Sequence, residues 1–127
     1  MKWKFAPALV AMGLTIALGA GVAQAGGDAA KGKKVFNKCK ACHSLKPGKN
    51  KVGPSLAGVV GRAAGTAEGY KYSKAMKASG ITWDEDSLKT FLTKPKKLVP
   101  GTKMGFRGLK KEKDRENLVE YLKQASM

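Results

Sequence analysis

Cys39-Lys40-Ala41-Cys42-His43 holds both cysteines and the only histidine of a 127-residue chain. Two thiols separated by two residues and followed at once by an imidazole form the attachment run of a c-type haem. The thiolates of Cys39 and Cys42 add across the two vinyl groups as thioethers, and the His43 imidazole becomes an axial ligand of the iron. The spacing has a chemical reason. Two intervening residues let the backbone turn beneath one porphyrin edge, so that both sulfurs reach their vinyls and the next side chain points at the metal. Other uses of these residues fit less well. A thioredoxin-like dithiol asks for a βαβ setting, which the pattern lacks. Zinc needs a fourth ligand, and no further Cys or His exists. A disulfide across so short a loop leaves His43 without a role. The run predicts one covalently attached haem c per chain.

Upstream, residues 1–25 read as a secretory leader. Met1-Lys2-Trp3-Lys4 is a basic start, Phe5 to Val22 is apolar and uncharged, and Ala23-Gln24-Ala25 is a small-x-small cleavage site. A retained membrane anchor is the alternative, because the apolar run is nearly long enough to span; its Gly and Ala content and the adjoining cleavage site favour removal after Ala25. Residues 26–127 then form a single domain in the periplasm. Export fits the cysteines, since c-type haem is attached outside the bacterial cytoplasm.

The formal net charge is +16, and losing Lys2 and Lys4 lowers it to +14. Two haem propionates subtract two more. Such a basic protein seeks nucleic acid, a membrane surface or an acidic protein. Export argues against nucleic acid, transient contact with a membrane surface is compatible, and an acidic partner protein is the expected target of a monomer.

The remaining chain predicts an all-α domain of four to five short helices with long loops. Residues 26–40 read as the first helix, with Asp28 as its N-cap. Gly32, Val35, Phe36 and Cys39 recur at helical spacing, and a glycine on that face implies a close crossing by another helix. Residues 44–72 carry no period and many Gly and Pro residues, so they read as loop. A loop that long suits a small domain if it wraps something. Here that is the haem, with Val52, Leu56, Val59 and Val60 as wall residues. Ser73 caps a short helix to Lys77 or Ala78 that Gly80 closes. Asp84, Glu85 and Asp86 open the next helix, whose apolar stripe is Leu88, Phe91 and Leu92 and which Pro95 ends. Residues 96–110 read as a second loop. Lys111 to Ala125 form the last helix, with Leu118, Tyr121, Leu122 and Ala125 inward and Glu112, Lys113, Arg115, Glu116 and Lys123 outward.

The sixth iron position decides what such a haem does. A second histidine is absent, leaving Met76, Met104 and Met127. A chain terminus is a poor place for a fixed ligand, and Met76 reads as packing within a short helix. Met104 sits in Pro100-Gly101-Thr102-Lys103-Met104-Gly105-Phe106, a glycine-flanked loop able to reach the opposite porphyrin face. A thioether is soft and favours ferrous iron, so His/Met ligation raises the reduction potential. It also closes the coordination sphere. The prediction is electron transfer without bond chemistry, and no catalytic constellation is visible. Asp84, Glu85 and Asp86 are explained by a helix first turn.

Over nearly its whole length from Gly27, this pattern resembles class I c-type cytochromes, specifically the short soluble bacterial c-two group and mitochondrial cytochrome c. The resemblance implies the cytochrome c fold, with the N- and C-terminal helices crossing through Gly32, Phe36 and Tyr121. It implies that the Pro54 carbonyl accepts from the ligating His43 ring. It further implies that Arg62, Tyr72 and Trp83 hold the propionates, with Thr102 in the methionine loop and Phe106 beside the haem edge. Two positions depart from the mitochondrial pattern. Phe91 stands where a Tyr usually donates to the Met sulfur, and Met76 where an Asn usually joins a polar network. Both make the methionine side more apolar.

Lys38, Lys40, Lys51, Lys96, Lys97, Lys103, Lys110 and Lys111 flank the attachment run and the methionine loop. In such a fold most of them would ring the haem edge and steer it onto acidic patches, whereas Lys74, Lys77 and Lys123 read as scattered solvated charge. The resemblance implies a soluble one-electron carrier, not an enzyme. Its donor would be a cytochrome bc complex, and its acceptor a terminal oxidase, photosynthetic reaction centre, peroxidase or reductase, in respiration or photosynthesis. The alternative is a haem peroxidase or ligand-binding cytochrome with a labile Met104, which Lys103 displaces at high pH.

Overall fold

The Asp28 carboxylate accepts from the backbone N–H groups of Ala30 and Lys31 at 2.8 and 3.2 Å, capping α1 (Ala29–Val35) as expected. The computed structural model describes Gly13 and residues 26–125. Apart from Gly13, the expected leader with its cleavage site lies outside the described residues, as does Met127. Helix α1 is shorter than the predicted span 26–40. It tightens into a 3-10 turn, Phe36–Lys38, in which Cys39 N–H reaches the Phe36 carbonyl at 2.8 Å. That tightening answers carbonyls at the helix end and delivers the chain to the cysteines.

The longest helix, α5 (Glu112–Ala125), crosses α1 where Gly32 predicts it. A Cβ on Gly32 would lie 2.6 Å from the Asn117 carbonyl carbon and 2.7 Å from Tyr121 Cβ, so only glycine admits this approach. The Phe36 and Tyr121 rings meet there at 5.6 Å. Buried Asn117 accepts from the Asp28 N–H at 2.8 Å through its Oδ1, fastening the α1 cap to α5.

Between these two helices lie α2 (Lys74–Ala78), α3 (Glu85–Thr93) and α4 (Pro95–Leu98). Ser73 and Asp84 cap α2 and α3 by accepting from Met76 N–H at 3.1 Å and Ser87 N–H at 2.7 Å. The first of these bonds and Gly80, at φ +65°, bear out the α2 reading. Pro95 does follow the end of α3, but the expected loop over 96–110 begins later. Proline lacks an N–H and has a preset φ, which suits a first helical position, and the same Pro95 therefore starts the one-turn α4.

Residues 44–73 form no helix. They are strapped to the body by Gly61 N–H to the Trp83 carbonyl (2.7 Å), Trp83 N–H to Arg62 (2.9 Å) and Ala64 N–H to Ile81 (2.8 Å). An isolated bridge, Ala63 to Thr82, accompanies them, and no strand forms among the described residues. The molecule is all-α, with five helices among the described residues. No helix among them is long and apolar enough to cross a membrane. Leu118, Val119 and Leu122 of α5 pack with Leu88, Phe91 and Leu92 of α3, Phe36 and Trp83 as the core. Lys123 is not scattered charge, since its ammonium lies 3.0 Å from Glu85 and 3.7 Å from Glu120, linking α5 to α3. Arg115, read as outward, donates to the Leu109 and Lys110 carbonyls at 2.6 and 3.1 Å.

Candidate haem site

Past the 3-10 turn the attachment run coils on itself. Cys42 N–H and His43 N–H both reach the Cys39 carbonyl, at 3.1 and 2.9 Å. Both thiols are free, with Cys39 half-buried and Cys42 exposed. Burial, reinforced by repulsion from Cys42 and opposed by Lys38, pushes the Cys39 thiol up to about 11. Gly53 N–H donates to the Cys42 carbonyl at 2.7 Å, drawing the following loop over the His43 ring. A Cβ on Gly53 would stand 2.7 Å from Nδ1 and 2.9 Å from Nε2, so the loop presses backbone against the imidazole.

His43 is buried, and its Nδ1 lies 2.8 Å from the Pro54 carbonyl oxygen. A carbonyl only accepts, so Nδ1 carries the proton. Burial lowers the imidazole from its ordinary value; the Pro54 bond raises it, and nearby Arg62 and Lys51 lower it further. A neutral ring protonated at Nδ1 keeps the Nε2 lone pair for a metal. Among the described residues no group of three or more His, Cys, Asp or Glu gathers as a metal site by itself.

His43 opens onto a mostly apolar cavity of about 700 Å³, within the range of cofactor sites. Cys39, Cys42, His43, Thr102, Met104 and Phe106 all line it. Leu56, Val59, Phe91 and Leu92 contribute apolar wall, and Leu118 and Leu122 of α5 are part of the lining. Pro54, Arg62, Tyr72 and Trp83 also line it, so every predicted cofactor-contacting residue meets at one cavity. Of the predicted wall residues, Val60 lies outside the lining and packs against the core instead. Val52 stands at the rim, 75% exposed.

The polar groups here are partly spoken for. The Arg62 guanidinium donates to Ala57 and Ser55 carbonyls at 2.9 and 3.1 Å, while its Nε is buried with no partner. A buried donor asks for an acceptor, and a carboxylate of a bound group supplies one. Tyr72 accepts from Ala67 N–H at 2.9 Å, which leaves the phenol's own proton for another partner. Free thiols, a neutral imidazole, an apolar cavity and an unanswered donor fit a covalently attached haem.

The methionine loop is pinned at both ends. Thr102 N–H reaches Val99 at 3.0 Å, and Thr102 Oγ1 accepts from Met104 N–H at 3.3 Å. At the far end Leu109 N–H bonds to Leu92 at 2.7 Å. The Lys103 ammonium donates to the Lys71 carbonyl at 2.6 Å and sits 5.5 Å from the Tyr70 ring centroid. Tyr70, Lys71 and Ser73 line the cavity too, and no periodicity marked them in the sequence. The eight lysines expected to ring the site are all exposed, and Lys51 donates to the Lys40 carbonyl at 2.7 Å.

A family model described as cytochrome c matches residues 29–126. The chain belongs to the cytochrome c family. Cytochrome c2 of Rhodoblastus acidophilus is 59% identical over 99 residues, covering 77% of this chain and 92% of that protein. Cytochrome c-554 of Methylosinus trichosporium is 53% identical over 116 residues, covering 91% and 88%. The solved structure of cytochrome cH from Methylobacterium extorquens superposes with a TM-score of 0.75 at 54% identity, covering 77% of this chain and 99% of that one. The domain is thus a class I c-type cytochrome with the cytochrome c fold, and its cofactor is covalently attached haem c. As a cytochrome c it serves electron transport.

Proposed function

We propose that this cytochrome is an exported one-electron carrier whose haem is bound through Cys39 and Cys42 and held axially by His43 and Met104. The observation that carries the reading is that His43, oriented by Pro54, and Met104, on a loop pinned at both ends, line the same apolar cavity. When bound, the haem supplies an iron that alternates between ferric and ferrous states by one electron. The chain's own part is positioning. Pro54 fixes the imidazole tautomer, Thr102 and Lys103 set the methionine loop, and the Phe91 and Leu92 wall keeps water from the site. Arg62, Tyr72 and Trp83 receive the propionates, and Phe106 stands by the haem edge. With His43 and Met104 both holding the iron, the chain would leave no position for a substrate, which makes the protein a carrier rather than an enzyme.

Exposed Lys38, Lys51, Lys96, Lys97, Lys103, Lys110 and Lys111 face acidic surfaces of redox proteins in brief, salt-sensitive encounters. A cytochrome bc complex as donor and an oxidase, reaction centre, peroxidase or reductase as acceptor fit that chemistry. The domain is residues 26–127, monomeric, released into the periplasm after cleavage at Ala25.

The deciding experiment is near-infrared absorption of the ferric protein. The charge-transfer band of thioether-ligated haem is expected at neutral pH and is lost in Met104→Ala. Absence of the band together with ready carbon monoxide binding would assign the protein to the ligand-binding or peroxidase class. The native protein's N-terminal sequence should begin at Gly26, and electron-transfer rates to an acidic partner should fall with ionic strength.

A further inference from the structure

The Pro54 carbonyl that meets His43 belongs to the same peptide group as the Ser55 N–H. A trans peptide is planar, and its two polar ends point opposite ways. Both ends of this one are held. The carbonyl lies 2.8 Å from His43 Nδ1, and the N–H donates to Asn50 Oδ1 at 2.9 Å. The Asn50 Nδ2 donates in turn to the Glu68 carbonyl at 2.8 Å, 18 residues away. A backbone N–H only donates and a carbonyl only accepts, so one orientation of the Asn50 amide serves both partners.

Asn50 thereby joins two loops without lining the cavity itself. Next to it Ser55 is 3% exposed, with its hydroxyl donating to the Lys46 carbonyl at 2.7 Å and its carbonyl accepting from Arg62 at 3.1 Å. A second crossing between the loops, Tyr70 Oη to the Val52 carbonyl at 2.8 Å, lies two residues from each end of the first.

We propose that Asn50 is a positioning residue for the axial imidazole, acting through the Pro54–Ser55 peptide. An acceptor at the N–H end draws the peptide's electrons toward its oxygen, and hydrogen bonds in series strengthen one another. The Pro54 oxygen then holds the Nδ1 proton more firmly, which makes the imidazole a stronger electron donor and favours ferric iron. The bond to Glu68 ties the same peptide to the loop that carries Tyr70 and Tyr72. The inference rests on His43 as an axial ligand.

The test compares holoprotein variants by NMR of the ferrous, diamagnetic form and by voltammetry. Asn50→Leu removes both bonds. Solvent exchange of the His43 Nδ1 proton and the Ser55 amide should quicken about tenfold, and the reduction potential should rise. Asn50→Asp keeps a charged acceptor for Ser55 but loses the donor to Glu68. There the His43 proton should stay within about twofold of wild type, the potential should fall, and amides 68–70 should exchange faster. Asp84→Ala, a change at a distant helix cap, controls for global stability and should leave the His43 proton and the potential unmoved. Potentials moving the same way in both Asn50 variants, or His43 exchange no faster in Asn50→Leu than in Asp84→Ala, would overturn the proposal. If Asn50→Leu takes up no haem, Asn50→Asp decides, and a potential at or above wild type refutes it. Ring-current displacement of the His43 carbon-bound protons in wild type reports axial ligation independently. Its absence would remove the ligand reading and this proposal together, whereas the other outcomes remove this proposal alone.

Discussion

The carbonyl oxygen of Pro54 lies 2.8 Å from Nδ1 of His43, and the residue before that proline, Gly53, is packed against the same ring. One short segment thus sets the imidazole's proton and its orientation. The hydrogen bond fixes which nitrogen is bare, and the backbone of Gly53 packs against the ring.

Gly53→Ala should break this arrangement. The added methyl would sit at 2.7 Å from Nδ1, and a buried ring has little room to yield. Overpacking of this kind destabilises by about 1–3 kcal/mol. Haem-to-protein ratio and denaturant unfolding of the holoprotein measure it, and both should fall. An unchanged ratio and midpoint would mean that the loop relaxes around the methyl.

Gly32→Ala sets two effects of opposite sign against each other. Replacing glycine within a helix gains about 0.5–1 kcal/mol in propensity. The new Cβ, however, would meet the Asn117 carbonyl carbon at 2.6 Å and Tyr121 Cβ at 2.7 Å, and one contact is backbone. Forcing α1 from α5 costs about 1–3 kcal/mol, so the clash wins. Thermal unfolding should shift down by several degrees, at about 4–8 °C per kcal/mol for a domain of this size.

What could be read beforehand follows from the range of each signal. The attachment run, the caps at Asp28, Ser73 and Asp84, and the glycine crossing at Gly32 are local, and a few neighbouring residues carry each one. Helix α4 was hidden because one turn is too short for a period and Pro95 signals a stop as readily as a start. Loop residues lack a repeating face, so nothing separated Val60, which packs on the core, from Tyr70, which lines the cavity. Nothing in the sequence marks Asn117, because its partner, the Asp28 N–H, is distant along the chain. Lys123 was misjudged likewise, since Glu85 meets it only through the packing of α3 and α5.

Asp84 lends stability that depends on pH. Its carboxylate accepts from the Ser87 N–H, chiefly, and its side chain also engages Ser87, which holds the group below the usual aspartate value although it is exposed. A folded-state value below the unfolded one stabilises the protein above the unfolded value and fades as pH falls through the folded value. Asp84→Ala should therefore melt lower than wild type at neutral pH. The gap should narrow in acid below the ordinary aspartate range, and a constant gap in melting temperature across pH would argue against the charge-assisted cap.

Lys103→Ala removes both the 2.6 Å bond to the Lys71 carbonyl and the ammonium over Tyr70. Both contacts are exposed and together are worth on the order of 1 kcal/mol. The loss should appear locally rather than globally. Amide exchange at residues 102–106 should speed up about fivefold, while the unfolding midpoint of the domain barely moves. Equal acceleration across α1 and α5 would show that Lys103 serves global stability rather than the loop.

Phe91 offers a test of how the methionine side tunes the haem. Its ring is buried, 4.9 Å from the Trp83 ring, and lines the same cavity as Met104 and Met76, with no hydroxyl to offer a sulfur. A thioether free of such a bond donates its electron pair more fully and supports ferric iron better. Phe91→Tyr adds a single hydroxyl to that wall. If the phenol donates to the Met104 sulfur, it withdraws electron density, weakens the sulfur's support of the ferric state, and raises the reduction potential above that of wild type. Voltammetry of the two proteins under one buffer condition decides the matter. Equal potentials, or a lower one in Phe91→Tyr, would mean that the sulfur is not the atom the hydroxyl reaches.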